Sequence, residues 1–243
     1  LALFCRAQNL EAFGLSNDEG AHLMWARLAA DGYPLYSQTQ AVQAPLFLES
    51  VVWAFALAGQ TIQAGRWVVL AGFGLLATTL SWLAHKAGGW PAALAALLLT
   101  GLSPLLFTFS RLVMAEVPAT AMAVLAVALA MIYIGRRRRF WLFLSGLALG
   151  LSFLMKALNP FVALPVAAIL LTRWRQQSMK RGWHIRFNWT ALLIDTSLWG
   201  AGVLLPVAAI FLMYEPQALY DQLVRFRGEL WAAIPGAWHE TLG

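Results

Sequence analysis

The sequence predicts an all-α fold, a polytopic bundle of helices embedded in a membrane. Hydrophobic residues make up 60% of the 243 residues, charged residues only 12%, and the mean hydropathy is +0.67. An ordinary soluble domain is about half apolar and one quarter charged. The apolar residues form long stretches, and each stretch is expected to be helical because a backbone in hydrocarbon must satisfy its own hydrogen bonds.

The first two apolar stretches are too short to span a bilayer, which takes about 20 apolar residues. Residues 1–4 form the first stretch, and we expect the sequence to be a fragment that has lost most of a first transmembrane helix. Residues 45–59 begin with a proline and have only modest length. They favour an interfacial or re-entrant helix in the first outer loop over a full span.

Six later stretches are apolar across most of a window of about 19 residues and predict transmembrane helices. They are residues 67–84, 90–109, 117–134, 140–155, 159–172 and 190–213. No internal repeat is evident, and the one soluble-looking stretch is the loop near 173–189. We therefore expect a single transmembrane module over residues 1–243.

The charges are unevenly divided between the two predicted faces. If 45–59 stays on the side where it begins, the loops "RRRR" and "RWRQQSMKRGWHIR" share one face, and nearly all acidic residues lie on the other. Lys and Arg mark the cytoplasmic side, so the segment 14–34 would face the periplasm or extracellular space. If 45–59 spanned instead, Glu116 and Lys156 would be parted from that segment.

The basic balance does not favour nucleic acid as a partner. The formal net charge is +6, but the basic residues cluster between apolar segments, as membrane topology requires. A lone cysteine, Cys5, excludes an internal disulfide. The scattered histidines show no spacing typical of a zinc site.

Four places on the predicted outer face carry ionisable groups at or near helix ends. The residues are Asp18 and Glu19, Arg66, Arg111 with Glu116, and Lys156. Charges at membrane depth are costly and tend to mark substrate paths or catalytic sites. Carboxylates there can deprotonate an acceptor, and Arg or Lys can hold a phosphate.

Each of these groups also has a simpler structural explanation. Arg66 or Lys156 alone could be snorkelling to the interface. Asp18 could lie in a solvated turn, where it or Asn17 would be the N-cap of a helix over 21–30. His22, one helical turn after Asp18, could be an ordinary polar interfacial residue. The set suits group transfer from a phosphate-linked lipid, and equally suits a transporter or lipid flippase.

Several motifs in order resemble the bacterial membrane glycosyltransferases of the C-type fold. They are "NDEGAHLMWARLAADGYPLY", then "QAPL" and "ALAGQ", then "AGRW", and finally "AHKAGGWPAALAALLLTGLSPLLFTFSRLVMAEVPAT". These enzymes include relatives of protein O-mannosyltransferases and of aminoarabinose transferase. The resemblance implies transfer of a sugar from a polyprenyl-phosphate donor (undecaprenyl or dolichyl) to a lipid, glycan or protein acceptor on the outer side of the cell membrane.

The resemblance also implies roles for particular residues. Asp18 matches the catalytic acid of the first outer loop, and Glu116 matches a second acid that follows an arginine. Arg66 and Lys156 match residues near the carrier phosphate. Glu19, His22 and Arg111 are further substrate-binding candidates.

A divalent cation, Mg²⁺ or Mn²⁺, would be held by Asp18 and Glu116 if the reaction uses one. One departure from the family is Gln43, because many relatives have lysine there in "KPPL". The family also carries a variable region after its common core, and this chain is expected to stop before it.

Overall fold

The computed structural model describes residues 2–10, 14–156, 161, 163–179, 189–226 and 228–229. Within these residues every regular element is a helix, which confirms the predicted all-α fold. The α-helices are α1 (Ala2–Ala7), α2 (Asn17–Ala30), α3 (Pro45–Ala58), α4 (Ile62–Leu102), α5 (Pro104–Phe109), α6 (Glu116–Arg136), α7 (Arg139–Met155), α8 (Ala163–Met179), α9 (Trp189–Met213) and α10 (Pro216–Tyr220). A π-helical turn over Asp221–Arg225 follows α10.

Three helices of the described part, α4, α6 and α9, are long and apolar enough to cross a membrane by length and composition. Shorter apolar helices cover Pro45–Ala58, Arg139–Met155 and Ala163–Thr172. The predicted helix over 45–59 is therefore present. Its position in the interface stays a prediction.

Helix α4 contains both of the first two predicted spans, separated by a sharp break. Gly88 and Gly89 depart from helical geometry, and Gly89 has φ 71°, a conformation that glycine adopts without a steric penalty. Arg6 contacts both Phe73 and the carbonyl of Gly101. In a straight helix Phe73 and Gly101 would lie about 42 Å apart. The chain therefore folds back at the two glycines.

Three predicted boundaries were wrong. Helix α2 begins at Asn17 rather than 21, because the Ser16 hydroxyl caps it by accepting from the Glu19 amide at 3.2 Å. The second half of α4 ends at Leu102, where Ser103 and Pro104 start the separate helix α5. Helix α8 continues to Met179, into the predicted loop.

Helices α6, α7 and α9 pack closely through small residues. A Cβ on Gly146 would lie 2.1 Å from the Trp199 carbonyl oxygen, and one on Gly202 would lie 2.4 Å from the Phe143 carbonyl oxygen. On the opposite side of α7, Ser145 and Ser152 donate hydrogen bonds of 2.7 Å to carbonyls of α6. Small residues of this kind let transmembrane backbones approach each other.

Polar contacts divide the bundle into two ends. At one end, Asp195 of α9 accepts hydrogen bonds from the Tyr133 hydroxyl and from Arg139 Nε, the latter at 2.9 Å. At the other end, the start of α2 meets the start of α4 and the loop before α6. The opening segment, Arg66 and the loop that leads to Glu116 therefore meet at this end. The compartment that this end faces stays a prediction.

Candidate active site

Glu19 and Arg66 form a buried ion pair at the junction of α2 and α4. The Glu19 carboxylate accepts from Arg66 Nε and Nη2, both at 2.7 Å, and the two side chains are 0% and 1% exposed. Arg66 Nη1 also donates to the Leu10 carbonyl. A buried pair with this bidentate geometry fixes the register of its two helices. The Arg66 guanidinium is therefore occupied by protein groups.

Val113, in the loop before α6, is held from both sides by α2. Its amide donates to Glu19 Oε1 at 2.9 Å, and its carbonyl accepts from His22 Nδ1 at 2.8 Å. The His22 ring is buried and packs edge-on against Phe47 of α3. Glu19 and His22, predicted as substrate-binding residues, thus anchor the loop that leads to Glu116.

Arg111 and Arg6 connect the N-terminal segment to the region around Ser110. Arg111 Nη2 donates to the carbonyls of Gln8 and Asn9 at 2.9 and 2.6 Å. Burial, and next the charge of Arg66, lowers the pKa of Arg111 below its usual value. Arg6 donates to Ser110 Oγ at 3.0 Å, and its guanidinium lies 4.1 Å from the Phe73 ring centroid. No sequence pattern identified Arg6 as a structural residue.

Glu116 and Lys156 form a second ion pair, which is open to solvent. Their side chains are 35% and 29% exposed, unlike the Glu19 and Arg66 pair. Val113 precedes Glu116 by three residues, so the chain places the Glu116 backbone within about 15 Å of the Glu19 carboxylate. Lys156 directly follows α7. Both pairs therefore lie in one region of the molecule.

Asp18 is exposed in the first turn of α2, beside the buried Glu19. Its carboxylate makes no hydrogen bond or ion pair with any residue that the structure describes. Adjacent positions on a helix point about 100° apart, so one acid enters the protein and the other faces out. Of the two neighbouring acids, Asp18 is the one available to a ligand.

A hydrogen-bonded framework that the sequence analysis missed supports Lys156. Tyr36 is buried with φ 67°, and its hydroxyl donates to the Gln43 carbonyl at 2.5 Å. Gln43 Nε2 donates to the Met155 carbonyl at 2.8 Å. Gln222, in the π-helical turn, accepts from the Ala41 amide at 2.7 Å and donates to the Tyr36 carbonyl at 2.5 Å. Contacts over such long sequence separations leave no local pattern.

Tyr214 and Glu49 extend this framework to α9 and α3. The Tyr214 hydroxyl donates to Glu49, and the Tyr214 ring meets the Tyr36 ring edge-on at 5.2 Å. Burial chiefly raises the pKa of Tyr36, with contributions from Tyr214 and Glu49. Burial and the hydrogen bond to Glu49 also raise the pKa of Tyr214. Both hydroxyls therefore remain protonated donors at neutral pH.

An apolar groove of about 280 Å³ lies close to Lys156. Its lining includes Pro45, Leu154, Phe211, Leu219, Leu223 and Val224. Leu154 is two residues before Lys156, and Pro45 is two residues after Gln43, which binds the Met155 carbonyl. The groove therefore has an apolar lining, and the backbone of Lys156 follows one of its lining residues by two positions.

Asp18 and Glu116 are the residues predicted to hold a divalent cation if the reaction uses one. Among the described residues, no three His, Cys, Asp or Glu side chains are grouped as metal ligands. The Glu116 carboxylate, one of the two predicted ligands, is already paired with Lys156. A divalent cation between Asp18 and Glu116 stays a prediction.

Comparison with known proteins decides the family. A match to the family described as dolichyl-phosphate-mannose-protein mannosyltransferase covers residues 42–199, or 158 of 243 residues. The chain belongs to this family. The predicted resemblance to C-type membrane glycosyltransferases is therefore confirmed.

The fold also agrees with that of a solved protein structure. The chain is similar to ArnT from Cupriavidus metallidurans, solved bound to undecaprenyl phosphate, with a TM-score of 0.64 and 18% sequence identity. The match covers 92% of this chain and 42% of the ArnT chain, so the chain spans less than half of that protein's length. No curated protein sequence gives a significant match.

Proposed function

We propose that the protein transfers a sugar from a polyprenyl-phosphate carrier to an acceptor at the outer face of a cell membrane. The observation that carries this proposal is an apolar groove lined by Leu154, two residues before the solvent-accessible Lys156. A polyprenyl phosphate has a matching shape, an anionic head on a long apolar chain. Membership of a mannosyltransferase family and the fold shared with ArnT support the same class of donor.

Lys156 binds the carrier phosphate, and the groove holds the first isoprenoid units of the carrier. As the bond between the sugar and the phosphate breaks, negative charge grows on the phosphate oxygens. An ammonium group fixed in place stabilises that charge. Glu116 orients Lys156, because the two groups are directly paired.

Asp18 accepts the proton of the attacking acceptor group. The acceptor oxygen or nitrogen forms a bond to the anomeric carbon, the carrier phosphate leaves with the bonding electrons, and the acceptor proton moves to the Asp18 carboxylate. A positioned carboxylate can act in this way as a general base. Its exposure beside the anchored Glu19 suits that role.

Glu19, Arg66, His22 and Arg111 act by positioning in this proposal. Their contacts hold the loop before α6 against α2 and α4. This role differs from the phosphate contact predicted for Arg66 by family resemblance. We separate these positioning residues from the substrate-binding residues by burial, because the buried side chains already bond to protein groups.

The transporter or flippase alternative has little support. A transport path would place ionisable residues through the depth of the bundle. Within the described helices the buried acid Asp195 is paired with Arg139 and Tyr133 near one end. An assembly subunit without activity would leave the exposed Asp18 and the Glu116 and Lys156 pair without a use.

The full-length protein in proteoliposomes tests the proposal. Dolichyl-phosphate mannose and undecaprenyl-phosphate aminoarabinose, each radiolabelled in the sugar, are supplied with a membrane lipid extract as acceptor. We expect release of the free carrier phosphate and transfer of label to a new product with one of the donors. Liposomes without protein are the control. No release of carrier phosphate from either donor would contradict the proposal.

A further inference from the structure

A second groove, polar throughout most of its lining, lies between the first loop and the segment after α10. Its volume is about 420 Å³, within the range of small-molecule sites. One wall is formed by the loop residues Ser37, Gln38 and Gln40. The other wall is formed by Asp221, Gln222, Arg225, Phe226 and Glu229. Neither the apolar groove nor the Lys156 pair contributes a residue to it.

The helical wall is a continuous stripe of side chains. Its residues occupy positions i, i+1, i+4, i+5 and i+8, which share one face of a helix. The stripe begins in the π-helical turn, where the Phe226 amide bonds to the Asp221 carbonyl. π-Helical turns are rare in proteins overall, and those that occur often lie at functional sites. The stripe faces the amide and hydroxyl side chains of the loop.

The charges of this groove disfavour an anionic ligand. Arg225 Nε lies 2.9 Å from Glu229 Oε1, and Arg225 Nη1 lies 3.9 Å from Asp221 Oδ1. Two carboxylates and one guanidinium leave the lining with a formal charge of −1. A phosphate would be repelled by the carboxylates and would find the arginine already paired. A neutral ligand is not penalised in this way.

The remaining lining groups match the two faces of a sugar. Carboxylates accept hydrogen bonds from ring hydroxyls, and amides and hydroxyls both donate and accept, so several ring hydroxyls can be bound at once. The Phe226 ring supplies an apolar surface for the C–H face of a sugar ring. This combination is more specific than a polar surface alone, because it satisfies hydroxyls and a hydrophobic face together.

The groove is connected to the proposed active site through Gln222. Gln222 lines the groove and bonds to the main chain of Ala41 and Tyr36. Tyr36 in turn bonds to Gln43, which bonds to the residue before Lys156. One hydrogen-bonded framework therefore positions both the polar groove and the cation assigned to the donor phosphate.

We infer that this polar groove binds a neutral, polyhydroxylated sugar unit of the acceptor. The inference rests on the proposed function, which requires an acceptor. The donor sugar is a poorer occupant, because it is attached to the phosphate that Lys156 holds, and Lys156 does not line the polar groove.

Binding of simple sugars to the full-length protein in nanodiscs tests this inference. The probes are methyl α-mannoside, methyl α-glucoside and glucose 6-phosphate, followed by saturation-transfer NMR. The variants are Q38A/Q40A and Phe226→Ala, which change exposed side chains, and the control is Gln60→Ala. Gln60 is an exposed glutamine outside the groove that pairs with Asp31.

We expect both neutral glycosides to bind and glucose 6-phosphate to bind more weakly. Each groove variant should weaken glycoside binding about 3- to 10-fold, as expected for the loss of one or two hydrogen bonds or a stacking surface. Gln60→Ala should match the wild type. Absence of glycoside binding, equal binding by the groove variants, or tighter binding of the phosphorylated sugar would overturn the inference.

The outcome is separable from that of the proposed function. Turnover of a polyprenyl-phosphate sugar without glycoside binding would overturn the groove inference alone. Glycoside binding that needs the groove, in a protein without turnover of either donor, would contradict the proposed function and with it the assignment of the groove to an acceptor.

Discussion

Asp18 and Glu19 are neighbours in the chain but lie in opposite environments. Glu19 is buried against Arg66 and Val113, whereas Asp18 is exposed. Ser16 caps the helix, which begins four residues before the predicted start, and this sets the direction in which each acid points. The proton-transfer role that we propose therefore falls to the exposed acid, whereas the buried acid anchors α2 to α4.

Loss of the Glu19 charge should destabilise the protein strongly. Glu19→Gln leaves the buried Arg66 without a counter-charge, and breaking such a pair costs about 3–5 kcal/mol. The free energy of unfolding in detergent measures this loss. The double variant E19Q/R66M should recover part of it, because the uncompensated charge is also removed.

Asp31→Asn is the matched control for this substitution. Asp31 also pairs with an arginine, Arg27, but at 4.0 Å and in solvent. Exposed pairs contribute about 0–1 kcal/mol. An unfolding free energy for Glu19→Gln equal to that of Asp31→Asn would show that the buried pair does not anchor the bundle.

At the residue scale, the sequence identified the polar positions but not their use. The sequence predicts Arg66, Glu116 and Lys156 as outer charges. In the structure Arg66 pairs with Glu19, and Lys156 pairs with Glu116. Which of the two acids in "DE" is buried depends on packing against α4. The Arg66 that pairs with Glu19 is 47 residues away from it in the sequence. Gln43 was noted only for the lysine that it replaces, although it holds the residue before Lys156.

At the scale of helices, the contact of α7 with α9 depends on glycine. Gly202→Ala should destabilise the bundle, because its new Cβ would lie 2.4 Å from the Phe143 carbonyl oxygen and force the backbones apart. Overpacking of this kind costs about 1–3 kcal/mol. Thermal unfolding of the purified protein measures the effect.

Gly200→Ala provides the matched control in the same helix. A Cβ on Gly200 would meet nothing within 4 Å, and alanine favours a helix over glycine by about 1 kcal/mol. We expect Gly200→Ala to be neutral or stabilising. If both alanine variants unfold at the same temperature, close packing at Gly202 does not limit stability.

The apolar pattern predicted which helices exist better than it predicted how they pair. The six stretches, and the short helix α3, were visible because each is a local run of apolar residues. The spacing of Gly146 and Gly150 is typical of close helix contacts, but α9 as the partner cannot be read from α7 alone. The predicted end of α8 was wrong because the helix continues beyond its apolar residues.

At the scale of the whole molecule, the described ionisable groups concentrate at the two ends of the bundle. Asp195, Tyr133 and Arg139 interact at one end, and the candidate active site occupies the other. Hydropathy and charge predicted this separation. The apolar groove could not be predicted, since it depends on how α3, α7, α9 and α10 meet.

Lys156→Gln should weaken binding of undecaprenyl phosphate without an equal effect on undecaprenol. A hydrogen bond to a charged group contributes about 1.5–3 kcal/mol, which corresponds to about 10- to 100-fold in affinity. Titration of each lipid in nanodiscs measures the two affinities. Lys86→Gln, next to Trp82 in α4, is the control. Equal weakening of binding for both lipids would contradict the assignment of Lys156 to the carrier phosphate.

Sugar transfer by Asp18→Asn tests the central claim most directly. Initial rates are measured in proteoliposomes with the polyprenyl-phosphate sugar that the wild type uses, alongside Asp31→Asn at the other end of α2. Loss of a general base should lower the transfer rate by about 100-fold or more, while Asp31→Asn keeps the wild-type rate. A wild-type rate in a folded, inserted Asp18→Asn protein would contradict the proposed mechanism.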